Sequence, residues 1–255
     1  MTGEASISFD RIADRYDDTR GGLRRGREVA EAIEPHLGDA RRVLEVGVGT
    51  GAVAVALTEA GRTVLGVDLA SAMLRRAGDR IGSRVVQGDA LTLPFGTGRV
   101  EAAYVVWVLH LVGDPALAMS ECARVLRKGG RLIVVAGRPR PDPDTDPDIL
   151  ALFAPMERVR DARVRPDDAD SVQRWAAAAG LTLVTRAERQ EQFTESPAKM
   201  ADPIEQRAFS YLWEIDDETW SDVVLPVVAQ LRALPDQDRG RVLRQRQDLQ
   251  VFEKA

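Results

Sequence analysis

The feature that most constrains this chain is a short apolar run ending in three alternating glycines. Arg42-Val43-Leu44-Glu45-Val46 reads as a strand, and Gly47-Val48-Gly49-Thr50-Gly51 turns it into a helix over Ala52–Ala60 that stops at Gly61. Glycine is needed there because the chain reverses sharply and a ligand must reach the backbone without a Cβ in the way. The helix N-terminus offers N–H groups to the same space. By itself the turn says only that a nucleotide-like ligand suits it. Gly47-Val-Gly49-Thr-Gly51-Ala52, with Asp68 downstream, also fits the looser dinucleotide pattern G-x-G-x-x-A, and a tight turn without a ligand is the third reading.

The pattern around the turn repeats strand then helix. Thr63–Val67 is a strand, Ser71–Ile81 a helix and Arg84–Gln87 a third strand. Val100–Val108 is an almost wholly apolar fourth strand, Pro115–Leu126 a helix closed by Gly129-Gly130, and Arg131–Gly137 a fifth strand. Strands apolar on both faces, joined through helices, form a parallel sheet covered on both sides. Right-handed crossovers then give a doubly wound α/β fold whose ligands sit at the carboxyl edge of the sheet. Before this core, residues 8–36 place Ile12, Tyr16, Leu23, Val29, Ala30 and Ile33 at helical spacing, interrupted at Gly21-Gly22.

Past Gly137 the rhythm breaks. Arg138–Pro147 contains four prolines and reads as an exposed, turn-rich connection. Ser171–Ala179 returns to helix and Leu181–Thr185 to strand; Pro197–Trp213 and Thr219–Leu234 are amphipathic helices that Pro203 and Pro226 interrupt or kink; Leu249–Phe252 suits a last strand. There is no repeat and no glycine/serine-rich linker, so the sequence reads as a single domain over 1–255. Its N-terminal helices lie in 1–40, a ligand-binding core in 41–137, and insertions in 138–170 and 190–247.

Composition excludes several classes. The formal net charge of −5 argues against a general nucleic-acid binder. No apolar run approaches the length of a membrane span, and the N-terminus lacks the basic-then-apolar pattern of a signal peptide, so a cytoplasmic location is expected. One cysteine, Cys122, permits no internal disulfide, and His36 and His110 lie too far apart in sequence to suggest a metal site.

The acidic residues narrow the ligand. Glu45 stands immediately before the glycines, where a carboxylate repels a pyrophosphate and suits an ammonium group. S-adenosylmethionine carries an ammonium and a sulfonium and no phosphate. Asp68, ending the second strand, can accept from both ribose hydroxyls, a role common to dinucleotides and S-adenosylmethionine. Asp89, in Gly88-Asp89-Ala90, can accept from an adenine amino group or cap a turn.

Together these segments resemble the class I S-adenosylmethionine-dependent methyltransferases of the small-molecule UbiE/type 11 group. The resemblance rests on Phe9-Asp-Arg-Ile-Ala-Asp-Arg-Tyr16-Asp, Val43–Gly51, Gly66-Val-Asp68, Gly88–Phe95 and Arg124–Leu132, in order over roughly residues 9–137. It implies a Rossmann-like, mainly parallel seven-stranded sheet with N-terminal lid helices and helical cap insertions. It also implies Glu45, Gly47 and Gly49 around the methionine part of the cofactor, Asp68 on the ribose, Leu69 and Met73 flanking the adenine, and Asp89 and Ala90 at its edge. Val106 would offer backbone near the amino group, and Tyr16 matches a lid tyrosine, with simple packing of its helix as the other reading. Glu101 departs from the Asp usual at the start of strand four, a mostly structural position.

His110, just past strand four, is the candidate general base; hydrogen bonding to a neighbouring loop is the competing role. No Pro-Pro-aromatic motif follows strand four, as an amino-directed nucleic-acid enzyme would need, and Cys122 lies inside a helix, remote from the site. The expected partner is therefore a small-molecule acceptor, in a monomer or homodimer without nucleic acid or membrane. Tyr16, Trp107–Leu111 and the aromatic-rich Arg207–Trp213 are candidate pocket segments. A nicotinamide-dependent oxidoreductase is the rival enzyme, although Tyr16, Tyr104 and Tyr211 lack the Tyr-x-x-x-Lys pattern of its short-chain form. A non-catalytic binding protein is the third possibility.

Overall fold

The computed structural model describes residues 3–161, 166–213 and 215–255; residues 162–165 of the expected 138–170 insertion lie outside them. In chain order the elements begin with α1 (Gly3–Arg20), α2 (Gly22–Ile33), β1 (Arg42–Val46), α3 (Ala52–Glu59), β2 (Thr63–Asp68), α4 (Ser71–Ile81), β3 (Val85–Gln87) and β4 (Val100–Val106). They continue with α5 (Pro115–Val125), β5 (Leu126–Val135), β6 (Arg140–Pro141), α6 (Pro147–Asp161), α7 (Ala169–Ala178), β7 (Leu181–Glu195) and α8 (Pro197–Glu205). The last are α9 (Asp217–Thr219), α10 (Leu225–Ala233) and β8 (Arg241–Lys254).

Contacts divide the chain into two compact units. The first comprises 1–138, 166–189 and 247–255; the second comprises 139–165 and 190–246.

The first unit is the α/β core. Its strands run β3-β2-β1-β4-β5-β8. Pairing is parallel from β3 through β5, β8 adds antiparallel to β5, with Arg131 opposite Glu253 and Val135 opposite Leu249, and β7 pairs with β8 in turn. Neighbouring residues on a strand point to opposite faces, so each strand feeds two cores. Leu44, Val46, Val105 and Leu132 pack with α5 and α7 residues such as Met119 and Val172. Val43, Tyr104 and Ile133 pack with α2 and α3 residues such as Ile33 and Leu57. Local chemistry sets the helix starts. Asp114 accepts from Leu117 N with Pro115 in the first turn of α5, and Asp168 caps α7 through Asp170 N and Ser171 N.

The sheet contains eight strands, one more than expected, the extra pairing being the two-residue β6 against Gln245 and Arg246 of β8. A second difference lies at Gly129-Gly130, which does not separate helix from strand. β5 begins at Leu126, and the glycines sit inside it at an irregularity where the pairing to β4 jumps from Leu126 to Arg131. Gly129 has φ +69°, and a Cβ on Gly130 would lie 2.8 Å from the Arg127 carbonyl oxygen, so a bulge with two glycines is the low-strain solution.

In the second unit, Ile149, Met156, Met200, Ile204, Val227 and Leu231 form a separate helical core. α6 was not among the expected elements: the turn-rich reading ended at Pro147, which occupies the helix start, and Pro155 is accommodated inside. Pro203 likewise lies within α8, whereas Pro226 falls in the first turn of α10, after a π-helical turn at Trp220–Val224 that divides the expected 219–234 helix. Phe209 and Tyr211 stack at 5.5 Å and pack against this core. Arg241 is 1 % exposed and ties the unit together, donating to Asp148 and to the carbonyls of Pro235 and Arg239.

α2 and α3 approach so closely that a Cβ on Gly26 would lie 2.3 Å from the Ala52 carbonyl oxygen. Because backbone must move to relieve that overlap, Gly26→Ala is expected to destabilise the protein by about 1–3 kcal/mol despite alanine's better helix propensity, lowering the thermal unfolding midpoint.

Candidate functional site

The turn after β1 takes the conformations its glycines allow. Gly47, Gly49 and Gly51 have φ of +77°, +53° and +78°. A Cβ at Gly47 would sit 2.2 Å from Val108 Cγ2, whereas at Gly49 nothing lies within 4 Å. Gly47 therefore packs against the segment after β4, and Gly49 faces open space. The turn is pinned by Asp68, whose Oδ2 accepts from Gly49 N at 2.8 Å and whose Oδ1 accepts from Ala70 N at 2.9 Å.

This space is a cleft of about 650 Å³, counting its open mouth. Of the residues expected at the site, Tyr16, Gly47, Gly49, Asp68, Leu69, Met73, Asp89, Ala90 and Val106 all line it. Glu45 does not; it is buried one layer back, at 3 % exposure. Lining residues without an assigned role in the sequence are Phe9, Val46, Val67, Gly88 and Val112. Phe9 lies seven positions before Tyr16 in the N-terminal motif, two helical turns away on the same face, and that spacing was the available signal. The two rings meet edge to face at 6.2 Å.

α1 is held at the cleft by polar staples on its acidic residues. Asp10 accepts from Ala72 N at 2.7 Å, at the start of α4. Asp17 accepts from Thr50 Oγ1 at 2.7 Å and pairs with Arg80, whose guanidinium also reaches Thr50 O at 2.8 Å. The motif around Arg124 serves the opposite wall. Arg124 pairs with Glu121 and donates to the carbonyls of Phe95 and Leu93 at 2.8 and 3.0 Å, fixing the segment that follows Asp89. Asp89 Oδ1 itself accepts from Leu91 N at 2.9 Å, so the turn-capping role is present.

Past β4 the chain makes an unusual bend. Trp107 has φ +56°, rare for a bulky residue and a form of strain often found beside functional sites. Its indole N–H donates to Gln247 Oε1 at 2.8 Å, and the Arg25 guanidinium lies 3.8 Å from its ring centroid. Trp107, Val108, Leu111 and Val112 thus form an apolar wall. His110 is not among the lining residues; its Nδ1 lies 3.6 Å from Oδ2 of the fully buried Asp167, which also accepts from Gly137 N at 3.2 Å. Cys122 is fully buried, and burial pushes its thiol up to about 12, as an inert core cysteine requires. No group of residues suited to holding a metal ion occurs among the described residues.

The electrostatics of the site are dominated by two acids, the buried Glu45 and the half-buried Asp68. Burial pushes Glu45 up to about 8, against the opposing effect of the Tyr104 hydroxyl, which donates to its Oε2 at 2.8 Å; the nearby Asp68 charge raises it further. Asp68 is also raised by burial, offset in part by its backbone N–H donors. Among the described residues no cationic side chain pairs with either acid. For a group whose folded value is raised, stability is full below the unfolded value near 4.5 and is lost as pH rises through about 8. The ligand-free protein is therefore expected to melt at lower temperature at pH 8.5 than at pH 5.5, and Glu45→Gln should shrink that difference, as scanning calorimetry at the two pH values would read.

Residues 44–134 match the methyltransferase domain family. The demethylmenaquinone methyltransferase of Thermobifida fusca is 34% identical over 143 residues, covering 51% of this chain and 60% of the relative. That of Mycolicibacterium gilvum is 35% identical over 137 residues, covering 51% and 59%. The chain thus spans about 60% of the curated relatives' length. Among solved structures, geranyl diphosphate C-methyltransferase from Streptomyces coelicolor, in complex with Mg2+, geranyl diphosphate and S-adenosyl-L-homocysteine, superposes with a TM-score of 0.51 at 20% identity, over 89% of this chain and 77% of that one. The [4+2]-cyclase SpnF superposes at 0.53 and 18% identity, over 89% and 81%. At these identities the structural likeness concerns the fold. Residues 44–134 thus resemble a methyltransferase domain, and the chain has the doubly wound α/β fold of these solved structures.

Proposed function

We propose that this protein transfers a methyl group from S-adenosylmethionine to a small-molecule acceptor. The observation that carries the reading is the pair of acids, buried Glu45 and half-buried Asp68, set at the carboxyl edge of the sheet without a cationic side chain of their own among the described residues. A cationic ligand relieves that charge and a pyrophosphate aggravates it. The residues present fit the cofactor. The cleft opens over Gly49, where a ligand can approach the backbone, and Tyr16, Leu69, Met73, Ala90 and Val106 supply lining around the acids.

In this reading Asp68 receives the ribose hydroxyls, Leu69 and Met73 flank the adenine, Asp89 and Ala90 meet its edge, and Gly47, Gly49 and Val106 offer backbone to the amino-acid end. Glu45 acts on that end through its charge. Bound there, S-adenosylmethionine supplies an activated methyl for in-line displacement; the chain's task is to orient the acceptor and exclude water, which is worth up to about 7–11 kcal/mol. Tyr16 and the wall at Trp107–Leu111 do that work on the acceptor side. In this reading His110, whose Nδ1 lies 3.6 Å from Asp167 just behind the cleft wall, takes a proton from a phenol or amine acceptor. No helix among the described residues is long and apolar enough to cross a membrane. We place the protein in the cytoplasm, as a monomer or homodimer without a nucleic-acid partner. A nicotinamide-dependent oxidoreductase is disfavoured by Glu45, which repels a pyrophosphate; Asp68 suits either ligand.

Calorimetry should show binding of S-adenosylhomocysteine and none of NADH; the reverse result overturns the reading. Asp68→Ala should weaken S-adenosylhomocysteine by at least about 2 kcal/mol, roughly 30-fold, and unchanged affinity in a folded variant removes the ribose role. A methyl-transfer screen against small phenols, amines and carbon acids identifies the acceptor. With that acceptor, His110→Ala should lower kcat by about 100-fold or more while leaving S-adenosylhomocysteine binding intact.

A further inference from the structure

Tyr104 lies in the middle of β4, in register with Glu45 of β1, and both side chains are almost completely buried. The phenol donates to Glu45 Oε2 at 2.8 Å across the sheet. No sequence motif of the chain includes this tyrosine, and packing alone would be met by phenylalanine at no polar cost. The groups facing Glu45 are Tyr104 from β4, Asp68 from β2 and the backbone of Ala54 from α3. Tyr104 is thus its one side-chain hydrogen-bond donor among the groups that act on it, while Asp68 adds like charge.

We propose that Tyr104 is a positioning residue for the amino-acid end of the methyl donor: its hydroxyl holds the Glu45 carboxylate in place and favours its ionised form, so that the negative charge behind Gly47 attracts the cofactor's ammonium. The inference rests on the methyl-donor reading above. Burial drives Glu45 toward its neutral acid, and a neutral acid there gives an ammonium nothing to bind. The tyrosine opposes that drift without bringing a competing cation into the site. A lysine or arginine at 104 would neutralise the acid permanently and remove the attraction; a hydroxyl supports the charge and leaves it available.

The test compares two ligands that differ only at the end concerned. S-adenosylhomocysteine carries the amino-acid group and 5′-methylthioadenosine lacks it. In calorimetry from pH 6.5 to 9, Tyr104→Phe should weaken S-adenosylhomocysteine by about tenfold or more at pH 7, leave 5′-methylthioadenosine unchanged, and move the pH at which S-adenosylhomocysteine binding strengthens upward. Glu45→Asp, whose side chain is one methylene shorter and draws away from the phenol while keeping the charge, should give the same selective loss, and it carries the test if the tyrosine variant does not fold. Equal losses for both ligands mean a merely structural tyrosine and overturn the proposal, as does unchanged S-adenosylhomocysteine affinity. Failure of the wild-type protein to bind either ligand overturns the methyl-donor reading itself, and the proposal with it.

Discussion

The structure depends on one topological constraint: β1 is flanked by β2 on one side and β4 on the other. The chain leaves β1 toward β2 through α3, and later enters β4 on the opposite side. The connections leaving the carboxyl ends of these two strands diverge, and a crevice must open between them. Everything assigned to the site follows from that opening. The glycine turn after β1 forms one lip, Trp107 to Val112 after β4 form the other, and Asp68 at the end of β2 braces the turn by holding Gly49 N and Ala70 N.

Charge is organised around the same crevice. Acids on α1 are used as staples: Asp10 meets the start of α4 and Asp17 meets Thr50 and Arg80, adding hydrogen bonds to the apolar contact of Phe9, Ile12, Ala13 and Tyr16 with Ala70, Ala72 and Met73. The acids further in, Glu45 and Asp68, have hydrogen-bond donors but no cationic side-chain partner among the described residues. The motifs of the sequence describe the side of the crevice that carries the glycine turn and Asp68, and not the side beyond Trp107. The same fold carries a [4+2]-cyclase in SpnF, and the chemistry on the acceptor side must be read from the site itself.

Much of this was legible in the sequence because the signals were local. Nine of the expected contact residues line one cleft, since strand ends, glycine turns and the first residues of helices are placed by short-range rules, and a parallel sheet brings its carboxyl ends together. The expectation faltered where the deciding forces were long-range. β5 starts five residues early because Gly129 and Gly130 are absorbed as a bulge against β4, which no local pattern distinguishes from a helix stop. α6 formed despite Pro147 and Pro155 because a separate core of Ile149, Leu152 and Met156 rewards it. Glu45, expected at the site, is not among the residues that line the cleft, because its strand register sets it opposite Tyr104, to which it is hydrogen-bonded.

The sequence by itself determined the α/β alternation, the glycine turn and the acids around it, because apolar periodicity and the demand for positive φ act within a few residues. The tertiary structure decided that Tyr104 meets Glu45, that Asp167 meets His110, and that Trp107 sits on a left-handed bend beneath Arg25. Those contacts join residues about 60, 57 and 82 positions apart. Only the sheet register and the packed loops, in which burial makes each polar group seek a partner, bring such pairs within reach.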